Sequence, residues 1–269
     1  MSQSVYKYFI DMSLINQLPQ SLQKQLEYKS LLKVISGLNN FDICSVKLIS
    51  EAAQLGGADL VDLACETKLI ESVLEVTTLP ICVSAVQPEL FLDAVKAGAT
   101  LIEIGNFDSF YEKGIIFTAK SVLEITKKTR DLLPTTPLSV TVPHNISLDK
   151  QVELAMQLVL EGADIIQTEG GKNSKPYSPG IQGFFEKSVP SLASTYAINK
   201  EFVAHDIHTP IMSASGLSQL TCPLAIACGA SAVGVGSVVN KLDDLVAMAA
   251  AVRGLKESLS KTEINQKIS

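Results

Sequence analysis

The sequence predicts a single (β/α)8 barrel, and three observations carry that reading: a Gly-Ala joint that recurs four times, four further apolar runs between the joints, and a helical stretch separating each strand from the next. The joints read Gly57-Ala-Asp-Leu-Val-Asp-Leu-Ala64, Gly98-Ala-Thr-Leu-Ile-Glu-Ile-Gly105, Gly162-Ala-Asp-Ile-Ile-Gln-Thr-Glu169 and Gly229-Ala-Ser-Ala-Val-Gly-Val-Gly236. A glycine just past the last helical turn takes the left-handed conformation that ends a helix, and the chain then enters a strand. The other four runs are Leu31 to Ser36, Ile81 to Val86, Leu138 to Val142 and Ile211 to Ser215, the last three preceded by Pro80, Pro137 and Pro210. Proline is tolerated at a strand's first position, where its missing N–H does least harm.

Helical patterns fill the intervals: Ser45 to Leu55, Lys68 to Val76, Pro88 to Ala97, Thr118 to Leu132, Leu148 to Leu160, Ser191 to Ala204, Ser218 to Ala227 and Leu242 to Leu259. Strands that read as nearly continuous apolar runs and alternate strictly with helices are parallel and covered on the outside. A doubly wound open sheet is the alternative, and it lacks support because no Gly-x-Gly-x-x-Gly turn follows the first strand. The expected layout is a helical extension over residues 1–30 that plugs or braces the amino-terminal mouth, the barrel over 31–260, and a tail over 261–269.

Composition narrows the function classes. The 269 residues suit one such barrel, with 46% hydrophobic and 19% charged residues. A net charge of −6 argues against nucleic acid as a partner. No stretch approaches the roughly 20 apolar residues of a membrane span. Cys44, Cys65, Cys82, Cys222 and Cys228 are odd in number and form no Cys-x-x-Cys pair, so they read as core thiols of a reducing compartment. Residues 1–30 carry neither a secretory nor a transit pattern, and the expectation is a protein that stays where it is made.

Side chains alternate faces along a strand, and the apolar set must meet the helices. In the four joints that places Val61 and Leu63, Ile102 and Ile104, Ile166 and Thr168, and Val233 and Val235 outward. Asp62 and Ala64, Glu103 and Gly105, Gln167 and Glu169, and Gly234 and Gly236 then face the axis. Three inward carboxylates, Asp62, Glu103 and Glu169, project toward the upper interior, where barrel enzymes keep their chemistry. Desolvated near one another, they are general acid/base candidates. A purely structural reading stands beside this, in which each pairs with Lys33, Lys172 or a backbone amide. His144, after Val142-Pro143 at the top of the fifth strand, is the proton-relay candidate. His205 and His208 lie at the opposite rim. The spacing of histidines and acids matches no metal motif.

The seventh and eighth strands end in Ser213-Ala-Ser-Gly-Leu217 and Gly234-Val-Gly-Ser-Val-Val-Asn240. Glycines there let backbone amides approach an anion, so Ser215, Gly216, Gly236 and Ser237 are the phosphate candidates. The longest loop, Glu169 to Gly183, has Gly170, Gly171 and Lys172 at its start and reads as a lid over an anionic substrate or as solvated chain.

Leu32-Lys-Val-Ile-Ser-Gly-Leu-Asn-Asn-Phe-Asp42, Ile102-Glu-Ile-Gly-Asn-Phe-Asp108, Ile166-Gln-Thr-Glu-Gly-Gly171 and Ser213-Ala-Ser-Gly-Leu-Ser218 resemble the hypothetical chloroplast reading frame 23 family of algal plastid genomes and cyanobacteria. The likeness runs from about Leu31 to the last strand and implies a protein of the plastid stroma; it carries no catalytic residues across. Ala232-Val-Gly-Val-Gly-Ser237 is more distantly similar to phosphate-binding barrels such as thiazole synthase and flavin-binding oxidoreductases. Schiff-base chemistry finds no lysine at an upper strand end.

Three functions follow as expectations. The first is an enzyme of lyase, isomerase or synthase type acting on a small phosphorylated molecule. The second is an oxidoreductase using flavin mononucleotide (FMN) in the same anion site. The third is a non-catalytic regulatory or assembly factor. Substrate, cofactor and oligomeric state, a homo-oligomer included, stay open at this stage.

Overall fold

A computed structural model describes residues 13–105, 107–111, 113–170 and 176–266, with side chains described as far as residue 260. Eight parallel strands close on themselves: β1 Leu31–Ile35, β2 Leu60–Ala64, β3 Ile81–Ala85, β4 Leu101–Ile104, β5 Leu138–Val142, β6 Ile165–Thr168, β7 Ile211–Ala214 and β8 Ala232–Val235. The closing pair sets Lys33 of β1 opposite Gly234 of β8. Helices follow in chain order: α1 Gln20–Glu27, α2 Ile43–Gly56, α3 Thr67–Leu74, α4 Leu90–Lys96, α5 Asp108–Tyr111, α6 Ala119–Leu132, α7 Leu148–Leu160, α8 Gly180–Ala204, α9 Cys222–Ala227, α10 Ser237–Asn240 and α11 Leu245–Gln266.

The four predicted joints are α-to-β turns, with Gly57, Gly98, Gly162 and Gly229 at φ between 84° and 114°. Asp42 starts α2 by accepting from the N–H groups of Cys44 and Ser45, and Thr118 with Ser121 forms a reciprocal cap on α6. Two joints add an acid that clamps the lower rim. Asp59 accepts from Leu32 N and Lys256 Nζ, and Asp164 accepts from Leu138 N, Arg130 Nη2 and Leu14 N. These two acids therefore tie the last helix and the amino-terminal segment to the sheet.

Beneath the barrel, Leu18, Leu22 and Leu26 pack on the first inward residues of seven strands: Leu31, Leu60, Cys82, Leu101, Ile165, Met212 and Ala232. The lower mouth is closed by apolar side chains, so polar residues higher in the barrel face water only from above. Val61, Leu63, Ile102, Ile104 and Ile166 lie in the helix-facing core around β2 to β6, and Val233 and Val235 in the second such core. The alternation read from the sequence therefore holds.

Boundaries differ from expectation at several helices. The helix α8 begins at Gly180 rather than Ser191 and carries Pro190 inside it. Its buried face is made of Gly183, Ser188, Ser191, Ser194 and Thr195 before it reaches Ile198 and Phe202, so no apolar period announced it. Pro190 sits inside this helix even though a proline removes one helical hydrogen bond. The supposed lid is correspondingly shorter than Glu169 to Gly183. Elsewhere α9 starts at Cys222 instead of Ser218, α11 runs to Gln266 past residue 260, and the short helices α5 and α10 carried no sequence signal.

The last helix seals against α2 at a position that admits no side chain. A Cβ on Gly56 would lie 2.4 Å from Val252 Cβ and 2.7 Å from the Ala249 carbonyl oxygen. Gly56→Ala is therefore expected to destabilise the protein by about 1–3 kcal/mol through overpacking. Denaturant unfolding measures it, and a loss smaller than the error of that measurement would remove the claim that this contact is closed.

Candidate active site

The barrel interior is layered. Above the apolar floor lies a polar layer in which Lys33, Asp62, Glu103 and Gln167 are all buried. Lys33 Nζ pairs with Glu103 Oε2. Gln167 Nε2 donates to Glu103 Oε1 at 2.6 Å and to Thr141 Oγ1 at 3.1 Å, and Ser84 Oγ donates to Asp62 Oδ1 at 2.7 Å. Burial alone would depress the Lys33 ammonium, but Glu103 and Asp62 outweigh it and hold its pKa above the ordinary lysine range. Lys33 is thus a charged partner and not a free amine. For Asp62 burial dominates, Lys33 opposes it, and the carboxyl is pushed up to about 7.

The upper mouth opens into a cleft of about 520 Å³. On one side stand Asp108, Gln167 and Glu169; on the other the β7 and β8 ends supply Ser215, Gly216, Gly236 and Ser237, with Lys187 and Lys241 beside them. Among the described residues Glu169 is held at one oxygen. Oε1 accepts from Tyr111 Oη at 3.0 Å and from His144 N at 3.2 Å, and meets His144 Nδ1 at 3.0 Å. His144 Nδ1 also stands 3.5 Å from Asp108 Oδ1. Burial raises the Glu169 carboxyl, with His144 pulling it partly back, and the hydrogen bond to Glu169 raises the His144 imidazole. His144 and Tyr111 stand behind Glu169 and orient it, while Glu169 and Asp108 line the cleft. One ligand atom from each of Asp108, His144 and Glu169 lies within 4.8 Å of the others, an arrangement compatible with a divalent cation.

On the other side Ser215 and Gly216 both have φ 73°, unusual for serine. Ser191 Oγ of α8 holds this turn by reaching the carbonyls of Ala214 at 2.6 Å and Ser215 at 2.7 Å. A Cβ on Gly216 would sit 2.4 Å from the Lys187 carbonyl oxygen, so the β7 turn lies hard against α8 where that helix presents Lys187. Burial and the nearby Lys241 hold Lys187 below the ordinary lysine range. Two cations facing one cleft, one of them depressed by the other, define a place where an anion lowers the energy.

Of the residues singled out in the sequence, the structure brings Glu169, Ser215, Gly216, Gly236 and Ser237 to one cleft, with His144 directly behind. Glu103 and Asp62 lie one layer lower, joined to the cleft floor through Gln167. Gly170 packs against α8, where a Cβ would come 2.5 Å from Ser191 Oγ; Gly171 and Lys172 lie outside the described residues. Sequence reasoning missed Lys187, Lys241, Asp108 and Tyr111. Asp108 and Tyr111 sit on the short α5, Lys241 directly follows α10, and Lys187 lies within α8, so only the positions of those helices single them out.

A closed parallel barrel with its cleft at the carboxyl ends of the strands is the architecture of the (β/α)8, or TIM-barrel, proteins. Residues 15–265 match the family described as "Protein of unknown function (DUF561)", and the chain belongs to that family. A relative from Cyanophora paradoxa, "Uncharacterized protein ycf23", is 48% identical over 219 residues, covering 81% of this chain and 88% of that protein. One of the same name from Pyropia yezoensis is 38% identical over 245 residues, covering 89% and 88%.

Among solved structures, (S)-3-O-geranylgeranylglyceryl phosphate synthase from Thermoplasma acidophilum, in complex with sn-glycerol-1-phosphate, superposes with a TM-score of 0.59 at 12% identity, covering 89% of this chain and 98% of that one. Thiamine phosphate pyrophosphorylase from Pyrococcus furiosus gives 0.56 at 16%, covering 88% and 98%. A 3-hexulose-6-phosphate synthase gives 0.57 at 17%, covering 85% and 99%. At these identities the likeness shows the fold. Among the described residues no helix is long and apolar enough to cross a membrane.

Proposed function

We propose that the protein is an enzyme of lyase, isomerase or synthase type acting on a small phosphorylated metabolite. One observation carries the reading: a buried carboxylate and the two glycine turns line the same cleft, with two lysines at the turns. The phosphate sits between Ser215-Gly216 and Gly236-Ser237 and is neutralised by Lys187 and Lys241. Glu169, oriented through Oε1 by His144 and Tyr111, is the general acid/base, and burial raises its pKa above the ordinary carboxylate value, in the direction that favours proton transfer. Asp108 is a second carboxylate on the same wall. The barrels of similar fold whose names carry phosphorylated compounds support this choice of substrate class, and the algal ycf23 relatives support a plastid location, which we place in the stroma.

Thermal shift with inorganic phosphate and simple phosphate monoesters tests the reading. A ligand at 100 times its Kd adds about 2.7 kcal/mol, which for a chain of this size is a rise of several degrees. Gly236 has φ −127° and ψ −77°, outside the regions that side chains favour, and a Cβ there would lie 3.2 Å from the Ile35 carbonyl oxygen, so Gly236→Asp is expected to lower stability as well as to place a carboxylate in the anion site; the melting transition of the ligand-free variant checks that it is folded, and phosphate is expected to leave that transition unmoved. No shift with any phosphate in the wild-type protein would end the proposal.

A further inference from the structure

The cleft wall holds polar atoms that the protein itself leaves without partners. Seven buried side-chain polar atoms have no hydrogen-bond partner among the described residues, and three of them, Ser36 Oγ, Gln167 Oε1 and Asn240 Oδ1, belong to residues lining this one cleft. Such orphans are rare in folded proteins and call for an explanation.

Their orientation is fixed. Gln167 Nε2 is committed to Glu103 Oε1 and Thr141 Oγ1, and turning the amide over would set its oxygen against a carboxylate. Asn240 Nδ2 is likewise committed, donating to the carbonyls of Ile35 at 2.9 Å and Ser36 at 3.2 Å. A flipped amide would put oxygen against oxygen in both cases, so Gln167 Oε1 and Asn240 Oδ1 are acceptors only. Glu169 adds a further acceptor in the same wall; among the described residues the hydrogen bonds it receives go to Oε1. The lysines and glycine turns therefore suit an anion, and the rest of the cleft asks for donors.

We propose that the substrate is a phosphorylated polyol or sugar whose hydroxyl groups donate to Gln167 Oε1 and Asn240 Oδ1, with a further hydroxyl within reach of Glu169. This rests on the phosphate reading above and narrows it. Neutral amide acceptors suit neutral hydroxyl donors, and Ser36 Oγ, which both donates and accepts, suits the same partner. These atoms are themselves closed to bulk water, so a hydroxyl reaches them with a small shift of the cleft wall, and satisfying a buried acceptor recovers the cost of leaving it unmade.

The test compares probes that share one phosphate: n-propyl phosphate, glycerol 1-phosphate and 3-aminopropyl phosphate, titrated calorimetrically into the full-length protein. A site built to hydrogen-bond hydroxyls discriminates strongly against an analogue lacking them. Glycerol 1-phosphate is expected to bind at least tenfold more tightly than n-propyl phosphate, and Gln167→Met is expected to reduce that ratio while inorganic phosphate still binds. Equal affinity of the glycerol and propyl esters would overturn the inference and leave the phosphate site standing. Tighter binding of the aminopropyl ester than of the glycerol ester would overturn the hydroxyl assignment in favour of an ammonium group. Failure of all three esters and of inorganic phosphate would remove this inference together with the proposed function.

Discussion

Lys33→Met is expected to cost about 3–5 kcal/mol of stability, because it leaves Glu103 buried without its cation. Methionine matches much of the lysine stem, so the loss reports the uncompensated charge rather than a cavity. The companion prediction separates the two: Lys33→Met combined with Glu103→Leu removes both charges and is expected to recover most of the loss, as replacing a whole buried pair by apolar residues is often neutral. Equilibrium denaturation of the wild type, both single variants and the double variant closes the cycle. Additive losses would show that Lys33 and Glu103 do not form a coupled pair.

Asp62 gives the second large effect, through pH. The folded state raises its carboxyl from the ordinary 3.8 to about 7, so it holds a proton that the unfolded chain gives up. The stability this contributes is full below the unfolded value and is lost as pH rises through the folded one. At about 1.4 kcal/mol per pH unit of difference, the loss between about pH 4 and pH 7 is on the order of 4 kcal/mol. Asp62→Asn keeps the shape and cannot ionise. Subtracting its stability profile from the wild-type profile isolates this group from the others that titrate in that range. The wild type is expected to lose stability relative to Asp62→Asn across that window; parallel profiles would show that Asp62 is ionised throughout.

Both effects come from a layer that the sequence displayed but did not rank. The alternation in Leu60-Val-Asp-Leu-Ala64 and Leu101-Ile-Glu-Ile104 put Asp62 and Glu103 on the axis, because the opposite face had to meet helices. Whether an inward acid reaches the mouth or stays below depends on strand stagger, and stagger is a property of closure, not of any one strand. Thus Glu103 fell beneath the cleft with Lys33, while Glu169, one step past its strand, reached it. The glycine turns after β7 and β8 were legible because a close backbone approach demands glycine. Lys187 was not, since its helix buries serine, threonine and glycine where a period search looks for leucine. Asp108 and Tyr111 ride on a single helical turn, and nothing in their spacing to His144 or Glu169 signals contact across three strand ends.

The central claim, that acid and anion cradle share one mouth, is tested most directly by a crystal structure of the protein with inorganic phosphate. The ion is expected between the Ser215-Gly216 and Gly236-Ser237 turns, within reach of Lys187 and Lys241 and in the same cleft as Glu169. Phosphate bound instead at the lower rim, in the cavity beside Arg130 and His208, with the upper cleft empty, would contradict it.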